Sequence, residues 1–187
     1  MSTRMTQNAD IYLKDVFVSD ANRLTYATDF QDGTNALLKT SRIQVAFWAA
    51  GVAVGAYEAA LKYCLERKQF GKPIAKFQLI QERLSRMLGM CESMTLHLCH
   101  IAQEIERDDG KHLTMGQIAR AKAHASLQAR EIVRLAREVM GGNGILLENR
   151  AMKHFNDIET MYTGEGTYDI NVLVSGRELT GGLSAIK

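Results

Sequence analysis

The 187-residue sequence holds one proline, Pro73, and only 7% aromatic residues. So little proline leaves long helices uninterrupted. So few aromatics argue against a β-sandwich, whose strands draw on aromatic and β-branched side chains. The three cysteines, Cys64, Cys91 and Cys99, are an odd number with no C-x-x-C spacing. That excludes a disulfide scaffold and fits the reduced thiols of an intracellular protein. Neither charge sign dominates: 23 basic residues face 21 acidic ones, for a net charge of +2. Nothing in that balance calls for nucleic acid or an acidic partner. The longest nearly apolar run, Ile43 to Tyr57, is broken only by Gln44. It falls short of the roughly 18–20 residues of a membrane span. The opening Met1-Ser2-Thr3-Arg4-Met5-Thr6 has no apolar signal core. A soluble intracellular protein is the expectation.

What is present fits one globular domain. Apolar residues make up 46% and charged residues 24%, close to the globular average, and the length suffices for a real core. Residues 11–18, Ile-Tyr-Leu-Lys-Asp-Val-Phe-Val, alternate and are β-rich, which predicts a strand. One strand cannot bury itself, so a sheet outside these residues is implied. The polar stretch from Ser19 to Asn35 reads as a loop running into a helix start. From there on the pattern is helical: about Thr34 to Lys68, Phe77 to Asp108, Thr114 to Met140, Glu148 to Glu159, and Tyr168 to Leu179. The first helix is apolar all round in its middle and carries Gly51 and Gly55, a G-x-x-x-G spacing that suggests close helix packing. The second repeats apolar residues at Ile80, Leu84, Met87, Cys91, Met94, Leu98, Ile101 and Ile105, a heptad stripe. The third places Ala125, Ala129, Ile132, Ala136 and Val139 on one face. Together these predict an all-α fold: an up-and-down bundle of long antiparallel helices behind a short N-terminal strand.

Candidate chemistry is sparse. No Glu-x-x-His pair supports a di-metal centre. His97, His100 and Glu104 share one helix face, but three groups on one exposed face read as ordinary side chains, and no metal is expected. There is no G-x-S-x-G nucleophile. Gly141-Gly142-Asn143-Gly144 could cradle a phosphate, yet it follows a helix, so by periodicity alone a plain glycine C-cap and turn is the better reading. Arg67, with Gln69, could hold a phosphate or simply answer the helix dipole. Glu165 stands between Gly164 and Gly166, in a turn before a helix that Thr167 caps. Glycines there let a ligand approach, and a carboxylate in a dry site can act as a general base. Spacing alone favours a solvated loop charge.

Four motifs, in order, carry a resemblance. They are Glu66-Arg67-Lys68-Gln69-Phe70-Gly71-Lys72-Pro73 with Phe77-Gln78, Glu138-Val139-Met140-Gly141-Gly142-Asn143-Gly144-Ile145, Glu165-Gly166-Thr167-Tyr168-Asp169-Ile170-Asn171, and Gly176-Arg177-Glu178-Leu179-Thr180-Gly181. The chain resembles the C-terminal helical domain of the acyl-CoA dehydrogenase and oxidase family, and is most similar to the glutaryl-CoA dehydrogenase and short-chain oxidase branch. The resemblance implies FAD as cofactor and an acyl-CoA thioester as substrate. Glu165 would remove the α-proton while a hydride passes from the β-carbon to FAD, giving a trans-2-enoyl-CoA. Arg67, Gln69, Phe70 and Gln78 would touch FAD of a neighbouring subunit. Glu138, Gly141 and Gly142 would line its ADP part, Thr167 and Asp169 would hold it beside the base, and Arg42 and Gly166 would face the substrate.

The resemblance also implies a homo-oligomer, a tetramer or dimer built through this domain, with electron-transfer flavoprotein or oxygen as electron acceptor. Residues 1–32 would be the end of a middle β domain and its linker, and 33–187 the bundle. The family usually carries Tyr directly before the glutamate; Gly164 stands there and would widen the pocket. A non-catalytic assembly module of the same family, and a partner-binding bundle using the heptad face, are the alternatives. The tail Ser184-Ala185-Ile186-Lys187 does not match a peroxisomal signal.

Overall fold

The computed structural model describes residues 2–182; the tail just named lies outside them. Five helices form the bundle: α1 (Phe30–Glu66), α2 (Gln78–Asp108), α3 (Met115–Val139), α4 (Ala151–Thr163) and α5 (Tyr168–Leu179). Their starts follow local chemistry. Asp29 caps α1 by accepting from the Asp32 N–H at 2.8 Å. Thr114 and Gln117 form a reciprocal capping box at α3. Thr167 caps α5 through the Ile170 N–H.

The central helix is α3, which packs against each of the other four. Its contact with α1 is the most extensive and rests on alanine. Ala46, Ala49, Ala53, Ala56 and Ala60 of α1, and Ala121, Ala125, Ala129 and Ala136 of α3, are all buried. Side chains that small let the two axes approach closely. The expected G-x-x-x-G contact does not form. Gly51 is exposed with nothing near its missing Cβ, and Gly55 merely faces His154. Alanine already brings the helices together, so glycine is not needed there.

The heptad stripe of α2 is buried from Leu84 to Ile101, while Ile80 is only half-buried and Ile105 lies at the exposed end. Each buried Leu, Ile or Met of this kind contributes about 1.5–3 kcal/mol. By length and composition α1 could cross a membrane; here its alanine face closes against α3.

Directions follow from the cross-contacts. α1 and α3 run the same way: Arg42 and Lys122 both reach the 165–166 turn, while Tyr63 and Asn143 bond at the other end. α2 runs opposite, since Arg83 near its start pairs with Glu138 near the end of α3. α4 and α5 descend α3 in tandem. Arg130 meets Glu159, Lys122 meets Tyr162, Arg120 meets Ser175 and Gly116 meets Glu178. The turn carrying Glu165 is the break between these two helices.

Two further local expectations are corrected. Residues 11–18 form no strand; they are an exposed irregular segment with a bend at 14–15, where Asp15 has φ 50°, and Ile11, Tyr12, Leu13 and Phe17 are open to solvent. Alternation favours a strand only where another strand satisfies its backbone. Second, the first helix stops at Glu66 rather than Lys68 because Arg67 turns extended. Residues 67–73 then make a tight hairpin, β1 (Lys68–Gln69) against β2 (Lys72–Pro73), with Gln69 opposite Lys72. Its turn residues, Phe70 and Gly71, both lie at positive φ, 51° and 75°, as a two-residue type I′ hairpin requires.

Candidate active site

The Glu165 turn is built from its ends inward. α4 terminates at Thr163, and Gly164 closes it by donating its N–H to the Thr160 carbonyl at 2.7 Å. A Cβ on Gly164 would sit 3.0 Å from that oxygen. The helix end is tight there, so a side chain at 164 would need a shift of a few tenths of an ångström. Glu165 and Gly166 follow at φ 57° and 91°. A left-handed non-glycine residue costs about 1–2 kcal/mol and persists only where its surroundings impose it.

Four side chains from three helices supply that constraint. Ser41 Oγ of α1 donates to Glu165 Oε2 at 2.6 Å. Arg42 Nε donates to the Glu165 carbonyl at 3.1 Å. Asn171 Nδ2 of α5 reaches the carbonyls of Gly166 and Thr167 at 2.7 and 3.0 Å, and that of Glu165 at 3.4 Å. Lys122 Nζ of α3 donates to Tyr162 O at 3.0 Å and Gly166 O at 2.7 Å. Arg42, Lys122 and Asn171 are buried. Desolvation lowers the Arg42 guanidinium from its usual value, opposed by the nearby Glu165 charge. The Lys122 ammonium is pushed down to about 8, chiefly by desolvation and then by Arg42, with Glu165 opposing. Glu165 itself is half-buried. Ser41 occupies Oε2 and leaves the other carboxylate oxygen free, among the described residues, to take a proton.

A separate cleft of about 550 Å³ opens at the far end of α3. Arg67, Gln69, Glu138, Gly141 and Gly142 line it, as do Tyr63, Arg83 and Asn143. Glu138 accepts from Arg83 at 2.9 Å and from Arg134 at 2.7 Å. The Arg83 hydrogen bond, reinforced by Arg134, holds its carboxyl below the usual range. Asn143 Nδ2 donates to the Tyr63 hydroxyl at 2.7 Å, fixing the glycine turn to α1. That turn is a short 3₁₀ helix, Gly141–Ile145, and not merely a helix stop. Added Cβ atoms at Gly141 or Gly142 would meet nothing within 4 Å, so the bare backbone faces the opening. Arg67 makes no ion pair among the described residues. A free guanidinium, an amide side chain and an open glycine backbone suit an anionic diphosphate. The residues present therefore fit a dinucleotide cofactor.

The residues expected to share a function thus fall into two places. Arg42, Glu165, Gly166, Thr167 and Asp169 gather at one end of α3, and Arg67, Gln69, Glu138, Gly141 and Gly142 at the other. From Lys122 to Met140 the separation along α3 is about 27 Å. Phe70 sits at the exposed hairpin tip, its ring edge-on to Phe77 at 6.0 Å. Gln78 opens α2, exposed and outside the cleft lining. Among the described residues no group of three or more His, Cys, Asp or Glu side chains is placed to hold a metal. Ser41, Lys122, Asn171, Tyr63 and Arg83 were not anticipated. One signal existed for Lys122: the buried stripe of α3 continues from Ala129 and Ala125 back to it in steps of four and three.

The chain is thus a helical bundle with a carboxylate turn between its last two helices and a polar cleft at the opposite end of α3. A family model described as acyl-CoA dehydrogenase, C-terminal domain, matches residues 32–180, and the chain belongs to the acyl-CoA dehydrogenase family. The probable acyl-CoA dehydrogenase YngJ of Bacillus subtilis is 35% identical over 182 residues, covering 96% of this chain and 46% of that protein. A glutaryl-CoA dehydrogenase of Mycobacterium smegmatis superposes with a TM-score of 0.79 at 34% identity, covering 86% of this chain and 40% of that one. A glutaryl-CoA dehydrogenase structure from the same organism, in complex with FADH2, gives 0.79 at 30% identity over the same shares. The motif resemblance and the all-α fold are borne out. The chain spans about half the length of the curated relatives it matches.

Proposed function

We propose that this chain is the C-terminal part of a flavin-dependent acyl-CoA dehydrogenase, with Glu165 as the base that takes the α-proton of an acyl-CoA thioester. The observation that carries the reading is the Glu165 turn: a carboxylate with one oxygen free, on a backbone fixed by buried groups from α1, α3 and α5. A base set in that way needs little reorganisation at the moment of proton transfer. Arg42 and Gly166 would flank the thioester, and the Glu165 N–H would polarise its carbonyl.

Bound FAD would supply the hydride acceptor for the β-carbon, which would make the product the trans-2-enoyl-CoA. The open backbone of Gly141 and Gly142, with Arg67, Gln69 and Glu138, would hold its diphosphate and ADP part. Phe70 and Gln78 would add contacts from the hairpin and the start of α2, while Thr167 and Asp169 would hold cofactor beside the base. Since the two groups of residues lie at opposite ends of α3, a cofactor spanning both is best supplied by two copies of the domain in a homo-oligomer. Electron-transfer flavoprotein or oxygen would reoxidise the flavin. Residues 1–32 would be the end of a preceding β domain; their exposed Ile11, Tyr12 and Phe17 suit a surface meant to be covered.

The second reading is an assembly module of the same family that lacks activity, and it draws on the same exposed segment. The two separate on flavin. The purified chain is incubated with FAD, freed of unbound cofactor, and its visible spectrum followed on anaerobic addition of butyryl-CoA and glutaryl-CoA. Retained flavin that bleaches supports the enzyme; no retained flavin means that this chain alone is a fragment of it or an assembly module, with the chemistry belonging to the full-length protein.

A further inference from the structure

We propose that Lys122 is a positioning residue for Glu165, clamping the turn that carries it by binding carbonyls on both sides of that residue. The inference rests on reading Glu165 as the base, and it names a side chain to which that reading gives no role.

The geometry separates Lys122 from its neighbours. Ser41 holds the carboxylate, Arg42 holds the Glu165 carbonyl, and Asn171 holds carbonyls of residues 165–167. Lys122 alone reaches across, from Tyr162 O in the last turn of α4 to Gly166 O beyond the glutamate. One nitrogen thus fixes the distance between entry and exit of the turn. Tyr162 O is one of the carbonyls that a helix end leaves unpaired, and a cation there is also favoured by the helix dipole.

The cost is visible. Lys122 is completely buried in a stripe otherwise filled by Ile118, Ala125 and Ala129, beside a second buried cation, Arg42. An apolar residue would pack there without desolvating a charge. The return on that charge is an ammonium that imposes the left-handed backbone at Glu165, which nothing in the glutamate's own chemistry favours. If the carboxylate tilted away by as little as 1 Å, proton transfer would slow by up to about 100-fold.

Lys122→Met keeps length and removes the donors; Lys122→Arg keeps a charged donor. The first readout is NMR on this chain without cofactor. At positive φ the amide and α protons of one residue are unusually close, so Glu165 should give a strong intraresidue amide–α cross-relaxation peak in the wild type. We expect that peak to fall to the strength of ordinary α4 residues in Lys122→Met and to persist in Lys122→Arg. Ile132→Val, a core change away from the turn, controls for general destabilisation and should keep the peak. A strong Glu165 peak in Lys122→Met overturns the proposal.

The second readout is steady-state kinetics of the flavin-loaded protein that carries this chain. Lys122→Met should lower kcat roughly 10–100-fold with KM for acyl-CoA little changed, and Lys122→Arg should recover part of it. A merely structural role would lower the active fraction, leaving kcat per bound flavin intact, and that result also overturns the proposal. Failure of the base assignment shows separately, as a Glu165→Gln enzyme that turns over normally.

Discussion

Three glycines of one short turn should respond to the same substitution in three different ways. A Cβ on Gly144 would lie 2.2 Å from the Arg137 carbonyl oxygen. That atom is α3 backbone, so neither partner can rotate away, and Gly144→Ala must shift the turn or the helix end. Overpacking of this kind costs about 1–3 kcal/mol. Gly141 has open space but sits at φ 57°, so Gly141→Ala pays conformational strain alone, about 1 kcal/mol. Gly142 has open space and no positive φ. Gly142→Ala should be neutral, or gain up to about 0.5 kcal/mol from a stiffer unfolded chain. Its new methyl group nevertheless points into the cleft, so this variant should lose flavin without losing stability.

Thermal and urea unfolding of the three variants checks the order. At about 2–4 °C per kcal/mol for a chain of this size, Gly144→Ala should melt several degrees lower, Gly141→Ala a few, and Gly142→Ala not at all. A Gly144→Ala protein as stable as wild type would refute the steric argument. Equal losses in all three would refute the distinction among them.

Other predictions follow from single side chains. The Lys122 ammonium, pushed down to about 8 by burial, binds its proton less tightly when folded than when unfolded. The unfolded chain therefore holds more protons between pH 8 and about 10.5, and stability gains from this group as pH rises through that window, by at most about 3 kcal/mol. Cys64 and Cys91, buried and pushed up to about 11, pull the other way at alkaline pH. The readout is therefore the stability of wild type minus that of Lys122→Met in urea unfolding at pH 7 and 10, which should move in favour of wild type at pH 10; a constant difference refutes it. Phe70→Asn relieves the positive φ but gives up the edge-on contact with Phe77, so urea unfolding should change little, while flavin retention should weaken if the exposed ring serves the cofactor. Ile132→Ala, fully buried in α3, should cost about 2–5 kcal/mol by urea unfolding.

Helices were the most legible part of the sequence, because their apolar spacing is the packing itself. The α2 heptad and the alanine face of α3 sit where the 3.5-residue period puts them. The misreadings share a cause: each depended on a partner that local pattern does not show. Residues 11–18 alternate like a strand, yet the described residues provide no second strand for them. Gly51 and Gly55 have the spacing of a tight crossing, but the small residues that meet α3 are alanines on another face. The hairpin at 68–73 escaped notice because two-residue strands carry no periodicity.

At the site, Glu165 stood out because two glycines flank it. The side chains that hold it come from positions 41, 42, 122 and 171, and only folding brings them together. Only Arg42 among them was given a role, through the family resemblance; of the others, Lys122 carried the clearest signal in the sequence. A lysine in register with Ala125, Ala129, Ile132 and Ala136 is an expensive exception in an apolar stripe, and such exceptions occur where a site pays for them. The tyrosine expected before the glutamate is replaced by Gly164, whose added Cβ would stand 3.0 Å from the Thr160 carbonyl oxygen.

The central claim is that the Glu165 carboxylate takes the α-proton. Its most direct test is the flavin spectrum of Glu165→Gln beside wild type, in the flavin-loaded protein that carries this chain, on anaerobic addition of acyl-CoA. Glutamine keeps the size of the side chain and an oxygen for Ser41 but cannot act as the base. The account predicts flavin retained in both proteins and bleached by acyl-CoA only in the wild type. Bleaching of Glu165→Gln at the wild-type rate would contradict it.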